Sequence, residues 1–363
     1  MRLKRLELWW RALWIRILVR LMRRPHDARP LWDSRPFRVL FLRHDRAGDM
    51  IVSTGVMRAI ARSHQTITLD VLASPANAPI IEGADYVDRV IAFDKKRLSS
   101  YLPTAFRLRR AKYDVVVDCM VTAPSVTTLL LIFASGARYR IGIAGRGNDA
   151  AFNMTVPPET RLGAHMVDLL APLAAAFGVD PHAAQRQPLL QISSAERTRA
   201  ESEWGARANG GRRALINVSA GTAERLWAAE NYVAVMRHLR TLDPAITLRV
   251  IGAPSETERA ERIAGNGGGT VARTPNIRDA LALVATADFV FTPDTSIAHA
   301  ASAFRAPAVA IFVNDKAERW GLYGTLGENV QHPAPTMAAL SVDRVRDAVD
   351  RVWNEAVLRR DDE

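Results

Sequence analysis

The sequence predicts an α/β protein built from two parallel-sheet halves, and three observations lead to this expectation. The chain has 363 residues, enough for two globular domains of ordinary size. Short apolar runs alternate with helix-like patterns, which is typical of parallel strands joined by crossover helices. The alternation breaks near residue 185 and then restarts, so each half is expected to form its own sheet.

The N-terminal arm, residues 1–24, is the first predicted element. It carries a net charge of +7, whereas the other 339 residues carry only +4. In a helix, Arg16, Arg20, Arg23 and Arg24 share one face, and apolar residues that include Trp14 occupy the remaining arc. The arginines interrupt the apolar stretch too often for a membrane-spanning helix or a signal peptide. The arm is therefore predicted to be an amphipathic basic helix.

Two interpretations of residues 1–24 remain open from the sequence. Arginine and tryptophan on an amphipathic helix are typical of an element that lies in the interface of an anionic membrane. Alternatively, the helix packs on the body of the protein or on a second subunit. The composition favours the membrane, and the single cysteine, Cys119, favours a reducing compartment. A cytoplasmic protein that is peripheral on the inner membrane is expected.

Residues 25–36, PHDARPLWDSRP, are rich in proline and charge and predict a linker. The first domain follows over residues 37–185. Its strand-like runs are RVLFL (38–42), ITLDVL (67–72), VDRVIAF (87–93), YDVVVDCM (113–120) and ARYRIGI (137–143). Helices are predicted for MIVSTGVMRAIARS, for APSVTTLLLIFAS and for HMVDLLAPLAAAFGVD (165–180).

The second domain is predicted over residues 186–340. Its strand-like runs are RALINVS (213–219), ITLRVIG (246–252), ADFVFT (287–292) and APAVAIF (306–312). The remaining residues, 341–363, predict a terminal helix. Two α/β domains of similar size imply an interdomain cleft, and ligands of open α/β sheets bind beyond the carboxyl ends of the strands. Functional residues are therefore expected at strand-to-helix corners.

The first such corner is RHDRAGDM, residues 43–50, between the apolar run VLFL and a predicted helix. Asp49 in this corner has two interpretations from sequence alone. It is either an ordinary helix cap or a catalytic carboxylate held at the mouth of a binding cleft.

A second corner lies in FVFTPDTSIAHAASAF. The strand is predicted to end at Thr292, and Asp294 is predicted to cap a helix that begins at Thr295. Free backbone N–H groups and the helix dipole make such a start an anion site, to which Ser296 adds a hydroxyl and His299 an imidazole. A capped core helix with no ligand is the plain alternative.

Two further corners of the second domain carry suitable chemistry. INVSAGTAERLW offers Ser219, Gly221, Thr222 and the cation Arg225, which suits phosphate. VIGAPSETERAERI places Glu256 after a strand, where a carboxylate accepts hydrogen bonds from ribose hydroxyls. Taken alone, Arg225 is equally a solvated arginine and Glu256 an acid at a helix start. Three such corners in one domain favour a nucleotide-diphosphate site.

Several familiar motifs do not occur in the sequence. It has no GxxxxGK[ST] loop, no HExxH, no CxxC and no two aspartates at positions i and i+2. The sequence therefore disfavours a P-loop ATPase and a metal–nucleotide site built on paired aspartates, and no metal site is predicted.

Taken together, the corners resemble glycosyltransferase family nine, the ADP-heptose:lipopolysaccharide heptosyltransferases. The resemblance covers residues 38 to about 340 and implies the GT-B architecture, with two Rossmann-like domains facing an interdomain cleft. The stretches that carry it are RHDRAGDMIVSTGVMRAI, SAGTAERLWAAENY, HMVD, and TPDTSIAHAASAFRAPAVAIF followed by ERWGLYG.

The resemblance implies an inverting transfer of a heptose from an ADP donor to an acceptor hydroxyl, without an essential metal or a resident cofactor. Residue by residue, it makes Asp49 the general base. It places Arg225, Thr295, Ser296 and His299 at the phosphates of the donor, which is ADP-heptose or another nucleotide sugar. The implied acceptor is a lipid-linked saccharide of the lipopolysaccharide-core type, and no nucleic-acid partner is expected.

Two positions depart from the family pattern. Ser296 and Val313 stand where the family usually has glycine, which leaves the donor sugar open.

Glu256 matches an acid that binds the adenosine ribose. Arg138, Arg140 and Arg146 are expected either to meet phosphates or acidic sugars of the acceptor or to be solvated. Two alternatives to transfer are a nucleotide-sugar epimerase or hydrolase of the same architecture, and a non-catalytic nucleotide-sugar-binding scaffold at the membrane.

Overall fold

The computed structural model describes residues 2–23, 25–121, 124–182, 186–314 and 316–361. The chain divides into two compact units, Met1–Arg186 and Gln187–Glu363. Each unit contains one six-stranded sheet with all neighbouring strands parallel, together with the helices that connect the strands. The predicted pair of parallel α/β halves is confirmed.

Among its described residues, the first unit has six strands and five α-helices. In chain order they are α1 (Arg2–Met22), β1 (Phe37–Arg43), α2 (Ala47–Ala61), β2 (Ile67–Ala73), β3 (Arg89–Ala92), α3 (Tyr101–Ala111), β4 (Val115–Asp118), α4 (Val126–Ser135), β5 (Tyr139–Ile143), β6 (Met154–Val156) and α5 (Met166–Leu170).

The first sheet has the strand order β3-β2-β1-β4-β5-β6, so β1 lies in its middle. Leu40 and Leu42 of β1 join a core that also contains residues of α3 and α4, while Val39 and Phe41 alternate to the opposite face. A strand covered on both faces needs an unbroken apolar run, which explains the sequence VLFL. The carboxyl end of β1 leads directly into the corner that contains Asp49.

In the part of the second unit that the structure describes, there are also six strands, together with seven α-helices. In chain order they are α6 (Ser194–Trp204), β7 (Arg213–Asn217), α7 (Ala229–Leu242), β8 (Thr247–Ile251), α8 (Thr257–Gly267), β9 (Thr270–Val271), α9 (Ile277–Thr286), β10 (Phe289–Pro293), α10 (Ser296–Phe304), β11 (Ala308–Val313), α11 (Ala317–Trp320), β12 (Gly327–His332) and α12 (Val342–Asp361).

The second sheet has the strand order β12-β11-β10-β7-β8-β9. The three corners singled out in the sequence follow β10, β7 and β8, which are consecutive neighbours. Because all three strands run in the same direction, their carboxyl ends lie side by side at one edge of the sheet. The fold therefore gathers residues that are up to eighty positions apart in sequence.

The arm packs on the first unit. Met22 is buried, and Ile15, Leu18 and Val19 are partly buried against the core that contains α3 and α4. The opposite side of α1 leaves other apolar side chains exposed, and Trp14 is one of them. Among the described residues, no helix is both long enough and apolar enough to cross a bilayer.

Residues 25–36, expected as a linker, also lie against the first unit. Trp32 is buried and stacks on Phe177, with ring centroids 4.8 Å apart and an interplanar angle of 21°. Its Nε1 donates a hydrogen bond of 3.1 Å to the carbonyl oxygen of Ala176. The segment is thus anchored by a buried aromatic side chain.

Two details differ from the sequence-based expectation. Residues 165–180 do not form one helix, because a 3-10 helix, Ala171–Phe177, continues from α5. Pro172 at the junction has no N–H group to donate to a continuing α-helix. The strands β6, β9 and β12 were not predicted, since they are short or carry polar residues at the edge of a sheet.

Candidate functional site

Asp49 occupies the third position of α2, immediately after the first strand-to-helix corner. Its Oδ2 accepts a hydrogen bond of 3.3 Å from the backbone N–H of Arg46, so the carboxylate caps its own helix. The side chain is nevertheless 20% exposed. The two interpretations of Asp49 are therefore compatible, because a capping carboxylate is held in a defined place and stays accessible to a ligand.

Arg43, the last residue of β1, contacts Asp49 through its side chain. Its side chain is buried, and its Nε donates a hydrogen bond of 2.9 Å to the backbone oxygen of Asp49. Its Nη2 lies 3.6 Å from Oδ1 of Asp49. A buried guanidinium with two contacts to one residue orients that residue. Arg43 was not singled out in the sequence, although an arginine at the end of an apolar central strand was a signal for it.

Asp45, the neighbouring carboxylate, lies close to three nitrogen-containing side chains. Its oxygens lie 3.4 Å from Nη1 of Arg43, 3.7 Å from Nδ1 of His44 and 3.7 Å from Nζ of Lys95. Burial raises the pKa of Asp45, but His44, Arg43 and Lys95 outweigh it and lower the pKa to about 2. Such a carboxylate is a poor proton acceptor at neutral pH. Of the two acids in this corner, Asp49 is the better candidate for a base.

Asp118 ends β4, the strand next to β1, and was also missed. Its side chain is buried, and its Oδ1 accepts a hydrogen bond of 3.0 Å from the backbone N–H of Met120. Burial raises the pKa of Asp118 to about 7, against the weaker lowering by the Met120 hydrogen bond and by His44. The corner of the first unit thus holds an ionised Asp45 beside Asp118, whose pKa is raised to about 7.

In the second unit, Asn217 connects the corner that follows β7 with the corner that follows β10. It is the last residue of β7, and its Nδ2 donates hydrogen bonds of 2.9 Å to Oγ1 of Thr292 and to Oγ1 of Thr295. Its Oδ1 accepts a hydrogen bond of 3.1 Å from the backbone N–H of Ser219. Asn217 was not singled out in the sequence, since one amide at the end of the run RALIN does not reveal contacts across 75 residues.

The start of α10 differs by one residue from the prediction. Thr295, and not Asp294, is the N-cap, because its Oγ1 accepts the backbone N–H of Ile297 at 3.3 Å and the helix begins at Ser296. Asp294 is instead paired with Arg225, whose Nη1 lies 3.1 Å from Oδ2 and donates 2.9 Å to the backbone oxygen of Asp294. The helix start therefore places backbone N–H groups, two hydroxyls and one cation together.

His299 lies deeper than the sequence suggested. It is the fourth residue of α10, is only 5% exposed, and its ring lies 5.8 Å from the ring of Trp320. The imidazole thus forms part of the layer beneath the helix start.

Glu256, in the corner that follows β8, contacts the corner that follows β7. Its Oε1 accepts a weak hydrogen bond of 3.4 Å from the N–H of Ala220, and its Oε2 accepts one of 3.3 Å from the N–H of Ala253. Ser219 Oγ also accepts the N–H of Ala253, at 2.7 Å. The carboxylate is partly exposed and retains lone pairs for the hydroxyls of a ligand.

Gly221 and Thr222 form the exposed tip of the β7 corner. Gly221 has a φ of +69°, which glycine adopts without strain. All nine residues predicted for the second-domain site therefore lie at the carboxyl edge of three neighbouring strands. They are Ser219, Gly221, Thr222, Arg225, Glu256, Asp294, Thr295, Ser296 and His299.

The expectation for Arg140 was wrong. Its side chain is buried, and its Nη1 donates a hydrogen bond of 3.1 Å to the backbone oxygen of Met22, at the end of α1. Arg138 is exposed and its Nε lies 3.9 Å from Asp27. Arg140 is thus buried against the end of the arm and is not a solvated surface arginine.

Comparison with known proteins gives a consistent result. The model of the family "Glycosyltransferase family 9 (heptosyltransferase)" matches residues 104–346. No curated protein matches the chain. Among solved structures, a family 9 glycosyltransferase from Veillonella parvula is similar at 15% identity with a TM-score of 0.78, covering 89% of this chain and 98% of its own.

Two further structures share the fold. The E. coli heptosyltransferase WaaC with ADP is 20% identical, with a TM-score of 0.70, covering 87% of this chain and 100% of its own. The E. coli ADP-heptose lps heptosyltransferase II is 15% identical, with a TM-score of 0.68, covering 88% of this chain and 99% of its own. At these identities the likeness shows a common fold, which is the GT-B architecture.

The raised pKa of Asp118 makes a prediction about stability. The unfolded carboxyl loses its proton near pH 4, whereas the folded one keeps it to about pH 7, so folding is progressively weakened as pH rises through this interval. We expect Asp118→Asn to remove this loss, which amounts to about 1.4 kcal/mol for each pH unit at most. The thermal midpoint of the variant relative to the native chain should therefore increase from pH 5 to pH 8. A difference that is constant with pH would contradict the assignment.

Proposed function

The chain belongs to glycosyltransferase family 9, and we propose that it transfers a heptose or a related sugar from an ADP-sugar to a lipid-linked saccharide of the lipopolysaccharide-core type, with inversion. That it is a glycosyltransferase follows from the family. The observation that carries the finer proposal is the gathering of Arg225, Glu256 and the start of α10 at three neighbouring strand ends. WaaC, which shares the fold, was solved with ADP.

We propose that the diphosphate of the donor lies at the start of α10. The backbone N–H groups there and the hydroxyls of Thr295 and Ser296 are donors for phosphate oxygens. Arg225, held by Asp294, supplies the positive charge that stabilises the departing ADP. Glu256 accepts hydrogen bonds from the ribose hydroxyls. His299, buried beneath the helix start, supports this surface from below.

Asp49 is proposed as the general base. A sugar hydroxyl holds its proton far above pH 7, so its attack needs a base within hydrogen-bond reach. As the acceptor oxygen forms its bond to the anomeric carbon, its proton passes to a carboxylate oxygen of Asp49. The bond between the anomeric carbon and the phosphate oxygen breaks, and ADP leaves with the electron pair. A single displacement of this kind inverts the anomeric centre, and Arg43 keeps the base oriented throughout.

The proposed location is the inner surface of the membrane, where a lipid-linked acceptor is reached from the cytoplasm. The exposed side of α1, with Trp10, Trp14 and Leu21, supports this proposal together with the basic residues of the arm. α1 contacts the membrane through one side and its own unit through the other.

Substitution of Asp49 tests the catalytic step. We expect Asp49→Asn to lower the transfer rate by about 10²- to 10⁴-fold, the usual contribution of a general base. Affinity for ADP should be unchanged, because Asp49 lies in the other unit from the proposed donor site. Asp88→Asn, a change at an exposed aspartate of the same unit, is the matched control. Unchanged transfer by Asp49→Asn would contradict the mechanism and favour a non-catalytic scaffold.

Substitution of Arg225 tests the donor site. We expect Arg225→Gln to weaken ADP binding by roughly ten- to a hundredfold, since a hydrogen bond to a charged group contributes about 1.5–3 kcal/mol. Thermal shift with ADP, UDP and GDP measures both the affinity and the choice of nucleotide. The exposed Arg237, changed to Gln, is the control. Equal ADP binding by both variants would refute the role of Arg225, and turnover of the donor without an acceptor would indicate a hydrolase or epimerase.

A further inference from the structure

The first unit exposes apolar side chains on three neighbouring helices. α1 packs against α4, and α4 packs against α3. Their inner sides share one core, which contains Met22, Leu108 and Ile132. Large apolar side chains nevertheless remain exposed on their outer sides, among them Trp14 at 50%, Phe106 at 69% and Phe133 at 59%. We call these outer sides of α1, α3 and α4 the three-helix face.

The exposed residues follow the helical repeat. On α1, Trp10, Trp14, Ile17 and Leu21 are separated by four, three and four positions, so they form one stripe along the helix. Leu102 and Phe106 on α3 are separated by four positions, and Leu130 and Phe133 on α4 by three. Each helix thus has a buried apolar side and a second, exposed one. A single exposed apolar residue is ordinary on a protein surface, whereas three adjacent stripes indicate an interaction surface.

The segment that contains α3 is as basic as the arm. Residues 95–112, KKRLSSYLPTAFRLRRAK, contain seven lysines and arginines and no acid, a net charge of +7. The arm also carries +7, while the whole chain carries +11, so the rest of the chain has a net charge of −3. The positive charge of the protein is therefore concentrated in the two segments that supply α1 and α3. The net charge of +4 on the 339 residues outside the arm is therefore not evenly distributed.

We infer that the three-helix face is a bilayer-binding surface for anionic lipid, in which α3 and α4 bind alongside the arm. This inference rests on the proposed lipid-linked acceptor and extends the membrane contact from residues 1–24 to the body of the first unit. Leucine, phenylalanine and tryptophan flanked by arginine and lysine match the acyl boundary and the anionic headgroups of a leaflet. Two copies of the chain meeting through this face would bring two strongly positive surfaces together, which disfavours a dimer.

One end of the three-helix face lies next to the corner that contains Asp49. Lys95, just before α3, has its Nζ 3.7 Å from Asp45, and Thr128 in the first turn of α4 has its Oγ1 3.5 Å from Nε2 of His44. The amino ends of α3 and α4 therefore lie beside the loop that leads to Asp49. The 11 residues of α3 span about 16 Å. If this face binds a bilayer, the lipid anchor of the acceptor lies close to the corner of Asp49. A short saccharide on that anchor could then reach Asp49.

The experiment compares four full-length proteins in sedimentation with vesicles of phosphatidylcholine alone and of phosphatidylcholine with phosphatidylglycerol. They are the native chain, the face variant Leu102→Glu/Phe106→Glu, the arm variant Trp14→Glu/Leu21→Glu and the control Leu162→Glu/Leu358→Glu. The control residues are exposed leucines outside the three helices. We expect the native chain and the control to bind the anionic vesicles and to release them at high salt, because salt screens the charges. The face variant should bind at least about tenfold more weakly.

The variants distinguish the face from the arm. Native binding by the face variant, with binding lost in the arm variant, would overturn the inference and leave the membrane role of the arm intact. Binding lost in the face variant but kept in the arm variant would support the face and contradict the role of the arm. The inference would also be overturned if the native chain did not bind vesicles and instead formed a dimer. In that case Leu102→Glu/Phe106→Glu would dissociate the dimer. Cooperative thermal unfolding near the native midpoint in all four proteins, measured without ligand, establishes that each is folded.

Discussion

The parallel pairing of strands is the constraint on which the rest of the structure depends. Since β7, β8 and β10 run in one direction and are neighbours, their carboxyl ends share an edge, and the residues that follow them come together. The same constraint places Asp118 beside the corner that follows β1. An antiparallel sheet would have sent alternate corners to opposite edges. The polar residues of each corner then need only short loops to meet.

Within each corner, the residues with proposed chemical roles also stabilise the backbone. Asp49 caps α2, Glu256 accepts two backbone N–H groups, and Asp294 holds Arg225. These bonds restrict the side chains before any ligand arrives, so less conformational entropy remains to be lost on binding. They also explain the difference between the two acids of the first corner. Burial raises the pKa of Asp45, but the nearby His44, Arg43 and Lys95 outweigh it and lower the pKa to about 2, whereas Asp49 lies 3.6 Å from Arg43 and caps α2.

The sequence predicted the features that depend on local pattern. The central strands are unbroken apolar runs, and the corners between strands and helices carry the polar residues, so both could be read directly. Features that depend on contacts between distant residues could not. In the sequence, Asn217 is simply a polar residue at the end of a strand. Only the structure shows that its amide donates hydrogen bonds to Thr292 and Thr295. Arg140 looked like a surface arginine, yet it is buried because the end of α1 lies over it. The N-cap of α10 was displaced by one residue, because Asp294 pairs with Arg225 and leaves the capping position to Thr295.

The arm shows why two interpretations that exclude each other in sequence need not do so in structure. A helix with one apolar stripe can bury that stripe either against its own protein or in a membrane. α1 has two apolar stripes, so it can do both. Ile15, Leu18 and Val19 face the core, and Trp14 lies on the exposed side. Because the inner stripe fixes α1 beside α4, the outer stripe adjoins the exposed residues of α3 and α4. Packing on the protein therefore determines which way the arm faces, and a surface oriented in this manner would also orient the corner of Asp49 toward a lipid-linked acceptor.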